Sequence, residues 1–133
     1  MKKYSWNFLQ QFNFNPPRDI ILERTKQIQN KYDLYKKNPL NILKLSQKLF
    51  INNDLFVLVK NKFPYNISPN IDHYVLFINP KLKNKFNYAI IYKVVKYKFK
   101  LLCMYKPFII FENIPENRSI KDITHYQVFI LKY

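Results

Sequence analysis

The chain has 133 residues, a length that predicts one domain, residues 1–133, with a hydrophobic core of its own. Hydrophobic residues make up 48% of it and aromatic residues 18%, which excludes a disordered tail. The net charge of +15 favours anionic partners such as nucleic acid, nucleotides or anionic membranes, and the complete lack of glycine excludes P-loop and dinucleotide-binding fingerprints. The alternative source of the charge is AT-rich codon usage, because Lys, Asn, Ile, Phe and Tyr are all abundant.

Cys103 is the only cysteine, which excludes an internal disulfide and a multi-cysteine zinc site, and its neighbours in LLCMY predict a buried, inert thiol. No set of His, Cys and carboxylate residues has metal-ligand spacing, and no cofactor is expected. The start MKKYSWNFLQQF lacks the apolar segment of a signal peptide, and no run approaches the roughly 20 apolar residues of a membrane span. We therefore expect an intracellular, cytoplasmic protein with no membrane span.

Two helix-start signals indicate a helical N-terminal part, residues 1–53. Asn15-Pro16 offers an N-cap and a proline in the first turn. Beyond it, a pattern at spacings of three and four predicts a surface helix with one buried stripe, made of Ile21, Thr25, Ile28, Tyr32 and Tyr35. Asn38-Pro39 repeats the signal and predicts a shorter helix that ends near Asn52-Asn53-Asp54.

Residues 54–133 predict the sheet-forming part. Four short segments rich in branched and aromatic residues have the character of strands, and they are Leu55–Val59, His73–Ile78, Phe108–Phe111 and Ile123–Leu131. Between the second and third of these segments, a stripe of apolar and aromatic residues at helical spacing favours a helix. The stripe comprises Phe86, Ile90, Val94, Tyr97 and Leu101. The pair Val94-Val95 and the alternation in YKFKLL also fit a strand. The predicted fold class is α+β: an antiparallel sheet of about four to five strands, with helices packed on one face and the N-terminal helices first.

The two histidines of the chain stand at matching offsets in IDHYVLF, Ile71–Phe77, and ITHYQVF, Ile123–Phe129. Side-chain alternation along the second segment puts His125, Gln127 and Phe129 on one face. We predict that His73 and His125 lie on neighbouring antiparallel strands with their side chains on the same face. The competing interpretation is that both are satisfied core or rim residues with no chemical role.

Five short motifs follow one another between about Leu55 and Leu131, and they are Phe63-Pro64-Tyr65, Ile71-Asp72-His73, Phe111-Glu112-Asn113, Ser119-Ile120 and His125-Tyr126-Gln127-Val128. In this order they resemble the N-acetylglucosamine-induced protein family, which is uncharacterised and occurs in fungi and large DNA viruses. The chain departs from the family pattern at Gln127, where a second histidine is more usual, and at Phe63 and Phe77, which replace tryptophans. A viral origin would place the protein in the host cytoplasm or in the virion.

Two longer segments, HYVLFINPK and RSIKDITHYQVFI, are more distantly similar to the histidine-triad nucleotide hydrolases and transferases. That resemblance implies a histidine-triad-like fold, with helices on one side of an antiparallel sheet and ligand on the open face. In that superfamily the middle histidine takes up the nucleotidyl group, and Gln127 stands at this position. Because an amide cannot serve as that nucleophile or carry the proton, the resemblance implies that nucleotidyl transfer by this route is absent.

We therefore expect a protein that binds a nucleotide or another phosphate-bearing ligand. As an acid/base phosphodiesterase it would use His73 and His125 as general base and general acid, because an imidazole pKa of about 6.5 leaves both protonation states available. The expected ligand-binding residues are Arg118, Lys81, Asn113, Asn117, Ser119 and Gln127. The alternative is a non-catalytic basic protein that binds single-stranded nucleic acid through aromatic rings and lysines, or that serves as a small virion component.

Overall fold

A computed structural model describes residues 3–83, 85–118, 120 and 123–133. Within them the elements are α1 (Trp6–Gln10), α2 (Lys26–Lys37), α3 (Pro39–Leu49), β1 (Phe56–Lys60), β2 (Ile71–Ile78), α4 (Tyr88–Leu101), β3 (Phe108–Phe111), a 3-10 turn (Pro115–Asn117) and β4 (His125–Leu131). The strands form an antiparallel sheet in the order β1-β2-β4-β3. The predicted α+β class, the antiparallel sheet and the leading helices are confirmed. No helix of the described part is long and apolar enough to cross a membrane.

Both faces of the sheet are covered. On one face α4 packs against the sheet through three buried residues, Ile91, Val95 and Phe99. The other face carries both histidines and is covered by the segment around α1 and by α3, whose Leu45 and Leu49 are partly buried. The predicted packing of helices on one face thus describes α4, and the N-terminal helices lie across the other. The histidine-bearing strands β2 and β4 are the central pair of the sheet, so their side chains are shielded on both sides.

The first predicted helix begins later than its sequence signal. No helix starts at Asn15-Pro16, and the chain is irregular until Thr25, whose hydroxyl caps α2 by accepting from the Ile28 N–H. Ile21, predicted on the buried stripe, is 70% exposed. The short α1 has no counterpart among the predicted elements. The second signal is confirmed, because the Asn38 side chain accepts from the Leu40 N–H at the start of α3.

The helix predicted around Val94 is confirmed by α4, but three residues of the predicted stripe lie on its exposed side. Ile90, Tyr97 and Leu101 are 43%, 59% and 61% exposed. The buried stripe runs instead through Ile91, Val95 and Phe99, none of which exceeds 1% exposure. Both sets have helical spacing, so periodicity identified the helix without identifying the face that meets the sheet.

Cys103 follows α4 and is exposed, so the predicted burial of its thiol is wrong. Its φ of 57° lies in the left-handed region. The N–H groups of Cys103 and Met104 donate to the carbonyls of Lys100 and Phe99, which is the Schellman ending of a helix. Glycine usually takes this left-handed position, and a chain without glycine places a Cβ there at a cost of about 1 to 2 kcal/mol.

Candidate functional site

A cavity of about 320 Å³ lies between the α2–α3 hairpin and the histidine-bearing face of the sheet. Its volume is at the lower end of the range of about 300 to 1,000 Å³ that is usual for small-molecule sites. Its apolar walls come from the sheet and α3, and they include Val57, Val59, Val75, Phe77, Leu45 and Leu49. Its aromatic wall comes from α2 and the loop before β2, and consists of Tyr32, Tyr35, Phe63 and Tyr65. The lining also has four uncharged polar side chains, and they are Asn61, Asn113, His125 and Gln127.

His73 is packed into the sheet face beside this cavity and does not line it. Its imidazole is 2% exposed and lies between the rings of Tyr65 and Phe129, with ring centroids 4.8 and 4.5 Å away. The Tyr65 backbone N–H, which can only donate, reaches Nδ1 at 3.2 Å, so the proton of the neutral ring is on Nε2. Burial lowers the pKa of His73 from 6.5 to about 3, which keeps the ring neutral at physiological pH.

The orientation of the Gln127 amide follows from that tautomer. The protonated Nε2 of His73 donates to Oε1 of Gln127 at 2.6 Å, so the remaining donor of the amide is its Nε2 amino group. No described residue accepts a hydrogen bond from this amino group. Since every fully buried side-chain polar atom of the described residues has a partner, the amino group keeps access to the cavity that Gln127 lines.

His125 presents the complementary group. Its Nδ1 lies 2.8 Å from the carbonyl of Ile123, which can only accept, so Nδ1 carries the proton and Nε2 carries the lone pair. Burial lowers the pKa of His125, against the opposing effect of the Ile123 carbonyl. The side chain is 9% exposed and lines the cavity. His125 therefore offers a neutral imidazole acceptor to a ligand in the cavity.

The prediction that the two histidines lie on neighbouring antiparallel strands and share a face is confirmed. In the register of β2 and β4, His73 stands opposite Phe129 and His125 stands opposite Phe77. The histidines are therefore offset by four residues, roughly 13 Å along the strands. An acid and a base that act on one group must each reach it directly or through one water. The register does not bring the two imidazoles to one phosphate.

Arg24 is a half-buried cation in the wall of the cavity. Its Nε donates to the Phe63 carbonyl at 2.6 Å, and its guanidinium lies 4.3 Å from the ring centroid of Tyr32 and 5.2 Å from that of Tyr65. These contacts fix the position of the side chain. The ion pairs among the described residues involve other cations, so no carboxylate of the described part neutralises Arg24.

Three lysines line the cavity. Lys48 and Lys62 line it as exposed side chains. Lys60 also contributes to the lining, but its ammonium pairs at 3.3 Å with Asp72. None of the described lining residues is a carboxylate. The electrostatic environment of the cavity is therefore positive, and it favours an anionic ligand.

The remaining predicted ligand-binding residues lie elsewhere. Arg118 pairs with Glu112 at 3.3 Å and donates from Nε to the Asn113 carbonyl at 2.8 Å, so it braces Asn113 and does not line the cavity. Lys81 donates to Asn53 at 2.5 Å on the surface. Asn117 belongs to the 3-10 turn outside the cavity. Ser119 lies outside the described residues.

Arg24 and the aromatic wall are absent from the predicted site. Arg24 is one of three arginines in a chain whose other cations are lysines, which is a compositional signal for a specific role. Phe63 and Tyr65 belong to the aromatic-Pro-Tyr motif of the predicted family. Their contacts with Arg24 join distant parts of the chain, since Arg24 and Phe63 are 39 residues apart. Local sequence patterns do not predict contacts over such a separation.

Comparison with known proteins identifies a family and a fold. The family model described as "Protein of unknown function (DUF3605)" matches residues 18–131. The usual name of this domain is the N-acetylglucosamine-induced protein family, so the resemblance carried by the motifs is confirmed. The crystal structure of HTC1 is similar with a TM-score of 0.59 and 18% identity, over 96% of this chain and 85% of that chain, which shows a shared fold. No curated protein matches the chain. The similarity to histidine-triad enzymes stays a prediction.

Proposed function

We propose that this chain, which belongs to the DUF3605 family of proteins of unknown function, binds a small organic anion with a planar ring, such as a nucleoside monophosphate. The site is the cavity between the α2–α3 hairpin and the sheet. The observation that carries the proposal is Arg24, a half-buried cation held by the Phe63 carbonyl and two tyrosine rings, with no carboxylate partner among the described residues. A phosphate or carboxylate of the ligand would supply the missing partner.

The aromatic wall supports a planar ligand. The rings of Tyr32 and Tyr35 lie 5.0 and 5.3 Å from that of Phe63, so three rings meet at one side of the cavity. Stacking of a base on such a ring is worth about 1 to 3 kcal/mol and tolerates any base. Lys48 and Lys62 at the rim would draw anions towards the opening.

Calorimetric titration with adenosine 5′-monophosphate and adenosine tests the proposal. The wild type should bind the nucleotide more tightly than the nucleoside, and Arg24→Gln should weaken nucleotide binding by about tenfold or more, the usual worth of a charged hydrogen bond. Arg18→Gln makes the same charge change outside this cavity and is the matched control. Equal losses in both variants would assign binding to overall charge and overturn the site.

His125 supports a hydrolytic version of this function. Its Nε2 lone pair is available to the cavity, so it is the described imidazole that suits a general base, whereas both nitrogens of His73 are already bonded. A panel of cyclic nucleotides and a phosphodiester tests for turnover. His125→Ala should lower any turnover by about 10² to 10⁴. Equal rates in wild type and His125→Ala would leave a binding protein without catalysis.

An exposed stripe on α4 supports the alternative function, binding of single-stranded nucleic acid. Lys93, Lys96, Tyr97 and Lys100 recur at helical spacing and are all exposed. An aromatic ring among lysines is the chemistry of a base-stacking, phosphate-binding surface. If this stripe binds nucleic acid, affinity for a short single strand should fall steeply with salt, because counterions are released, and Tyr97→Ala should reduce it. Binding that is undetectable or independent of salt would assign the charge of +15 to codon usage.

A further inference from the structure

We infer that Gln127 and His125, which form the floor of the cavity on β4, recognise one neutral, planar edge of the ligand. This edge presents a hydrogen-bond acceptor to Gln127 and a donor to His125. The inference rests on the proposed function and deepens it, since it states which part of the organic anion faces the sheet. It also names the chemical class of that part, an amidine-type edge such as the 6-amino and N1 positions of adenine.

The polarity of the floor is fixed by two backbone groups. The Tyr65 N–H sets the tautomer of His73, and His73 in turn commits Oε1 of Gln127, which leaves the Gln127 amino group as a donor. The Ile123 carbonyl sets the tautomer of His125, which leaves Nε2 as an acceptor. Reversing either group would break a hydrogen bond to a backbone atom that has only one possible role. The floor therefore offers one donor and one acceptor that cannot exchange.

The two groups are neighbours on one face of one strand. Gln127 and His125 are two residues apart on β4 and share a face, so their backbone positions are about 7 Å apart. Hydrogen bonds to neighbouring atoms of one planar edge run side by side, so the two side chains would converge on the ligand from these backbone positions. Because β4 is a central strand and is buried along almost its whole length, the two groups are held in place before a ligand arrives.

Charge determines which end of the ligand enters. The floor contributes neutral groups only, whereas the cations that line the cavity belong to other elements: Arg24 before α2, Lys48 on α3, Lys60 at the end of β1 and Lys62 after it. An anionic group at the floor would lose its hydration without gaining a cation. The phosphate is therefore expected at Arg24 or the rim, and the ring edge at the sheet. A site built to hydrogen-bond two groups discriminates strongly against ligands that lack one, because its own polar atoms are left unpaired.

The test measures the affinities of three nucleotides that differ only at this edge. They are adenosine 5′-monophosphate, purine riboside 5′-monophosphate, which lacks the 6-amino donor, and 1-deazaadenosine 5′-monophosphate, which lacks the N1 acceptor. The wild type should bind each deleted analogue about tenfold more weakly than the parent. In His125→Phe, which keeps a ring against Phe77, the penalty for losing the 6-amino group should disappear. The penalty for losing N1, which involves Gln127, should remain.

The outcomes separate this inference from the proposed function. Tight binding of all three nucleotides with equal affinity would overturn the inference and leave the proposed function standing. Binding of none of them by the wild type would overturn both. Retention of the 6-amino preference in His125→Phe would also overturn the inference. Should that variant not fold, the ¹⁵N shift of His125 Nε2 in the wild type should move on binding the parent nucleotide and not on binding the analogue without the 6-amino group.

Discussion

The Nε2–H of His73 donates to Oε1 of Gln127 across 2.6 Å, and the two side chains are 2% and 6% exposed. Gln127 is therefore held in place by the histidine of the neighbouring strand β2. An imidazole at position 127 would have to accept from His73 through one nitrogen and would present the other to the cavity. His73 itself does not line the cavity, and its contact with the lining runs through Gln127.

The stability of the fold should decrease below neutral pH because of His73. Burial lowers its pKa from 6.5 in the unfolded chain to about 3 in the fold, so between these values the unfolded chain binds the extra proton. The stabilising contribution is complete above pH 6.5 and is lost as the pH falls towards 3, with a slope that approaches about 1.4 kcal/mol per pH unit. His125, whose pKa is also lowered, acts in the same direction.

Urea unfolding between pH 8 and pH 4 measures this linkage, and NMR titration of the two imidazoles assigns it. A His73 ring that takes up a proton near its ordinary pKa while the chain stays folded would contradict the buried, neutral imidazole.

His73→Ala should lower the free energy of unfolding by about 3 kcal/mol. The change removes a ring stacked on Phe129 and leaves the Tyr65 N–H and the Gln127 Oε1 without their partner. His125→Ala is the matched control on the same face, and its cost should be nearer to 1 kcal/mol because only the Ile123 carbonyl loses a hydrogen bond. Equal costs in denaturant titrations would contradict the unequal roles of the two histidines.

The face of α4 that meets the sheet can be tested by two aromatic truncations. Phe99→Ala should cost about 3 to 5 kcal/mol, because Phe99 is 1% exposed and packs against Tyr74 and Phe108. Tyr97→Ala should change stability by less than about 0.5 kcal/mol, since Tyr97 is 59% exposed. Thermal unfolding of both variants gives the answer, and a larger effect at Tyr97 would restore the stripe that periodicity predicted.

Cys103→Gly should stabilise the chain by about 1 kcal/mol. Its φ of 57° carries the strain of a Cβ in the left-handed region, and glycine removes that strain while the backbone bonds of Cys103 and Met104 remain. Cys103→Ala removes the thiol but keeps the Cβ, so it should show no comparable gain. A gain of the same size in both variants would point to the thiol and not to the backbone.

Sequence patterns identified the sheet better than they identified the N-terminal part. The bounds of β3, Phe108–Phe111, match the prediction, because a short apolar segment between a proline and a polar loop can form few structures other than a buried strand. The predicted start of α2 is about ten residues too early. The Asn15-Pro16 signal starts a helix only where the residues that follow can bury an apolar stripe, and Ile21 is not buried. Local signals mark where a helix can begin, and tertiary packing decides where it does.

The candidate site shows the same division. His125, Gln127 and Asn113 were predicted from their positions at the strands and line the cavity. Arg24 was not predicted, since its partners Phe63 and Tyr65 come from a loop far along the chain. Arg118 was predicted for its charge, but Glu112 neutralises it. Residue type indicates which chemistry is available, while the pairing of each charge is a property of the fold.

The α2–α3 hairpin that roofs the cavity is weakly anchored. Tyr32 is its only fully buried residue among those described, while Leu34, Leu40 and Leu43 are more than half exposed. An element with so little apolar burial belongs to the part of a protein that opens first, and its amides exchange with solvent before those of the sheet. A ligand that touches both the hairpin and β4 would be bound only while the roof is closed. Occupancy of the cavity and protection of the α2 and α3 amides from exchange would then rise together. Slowed hydrogen exchange in these two helices would therefore report the binding of a ligand whose identity is not known beforehand.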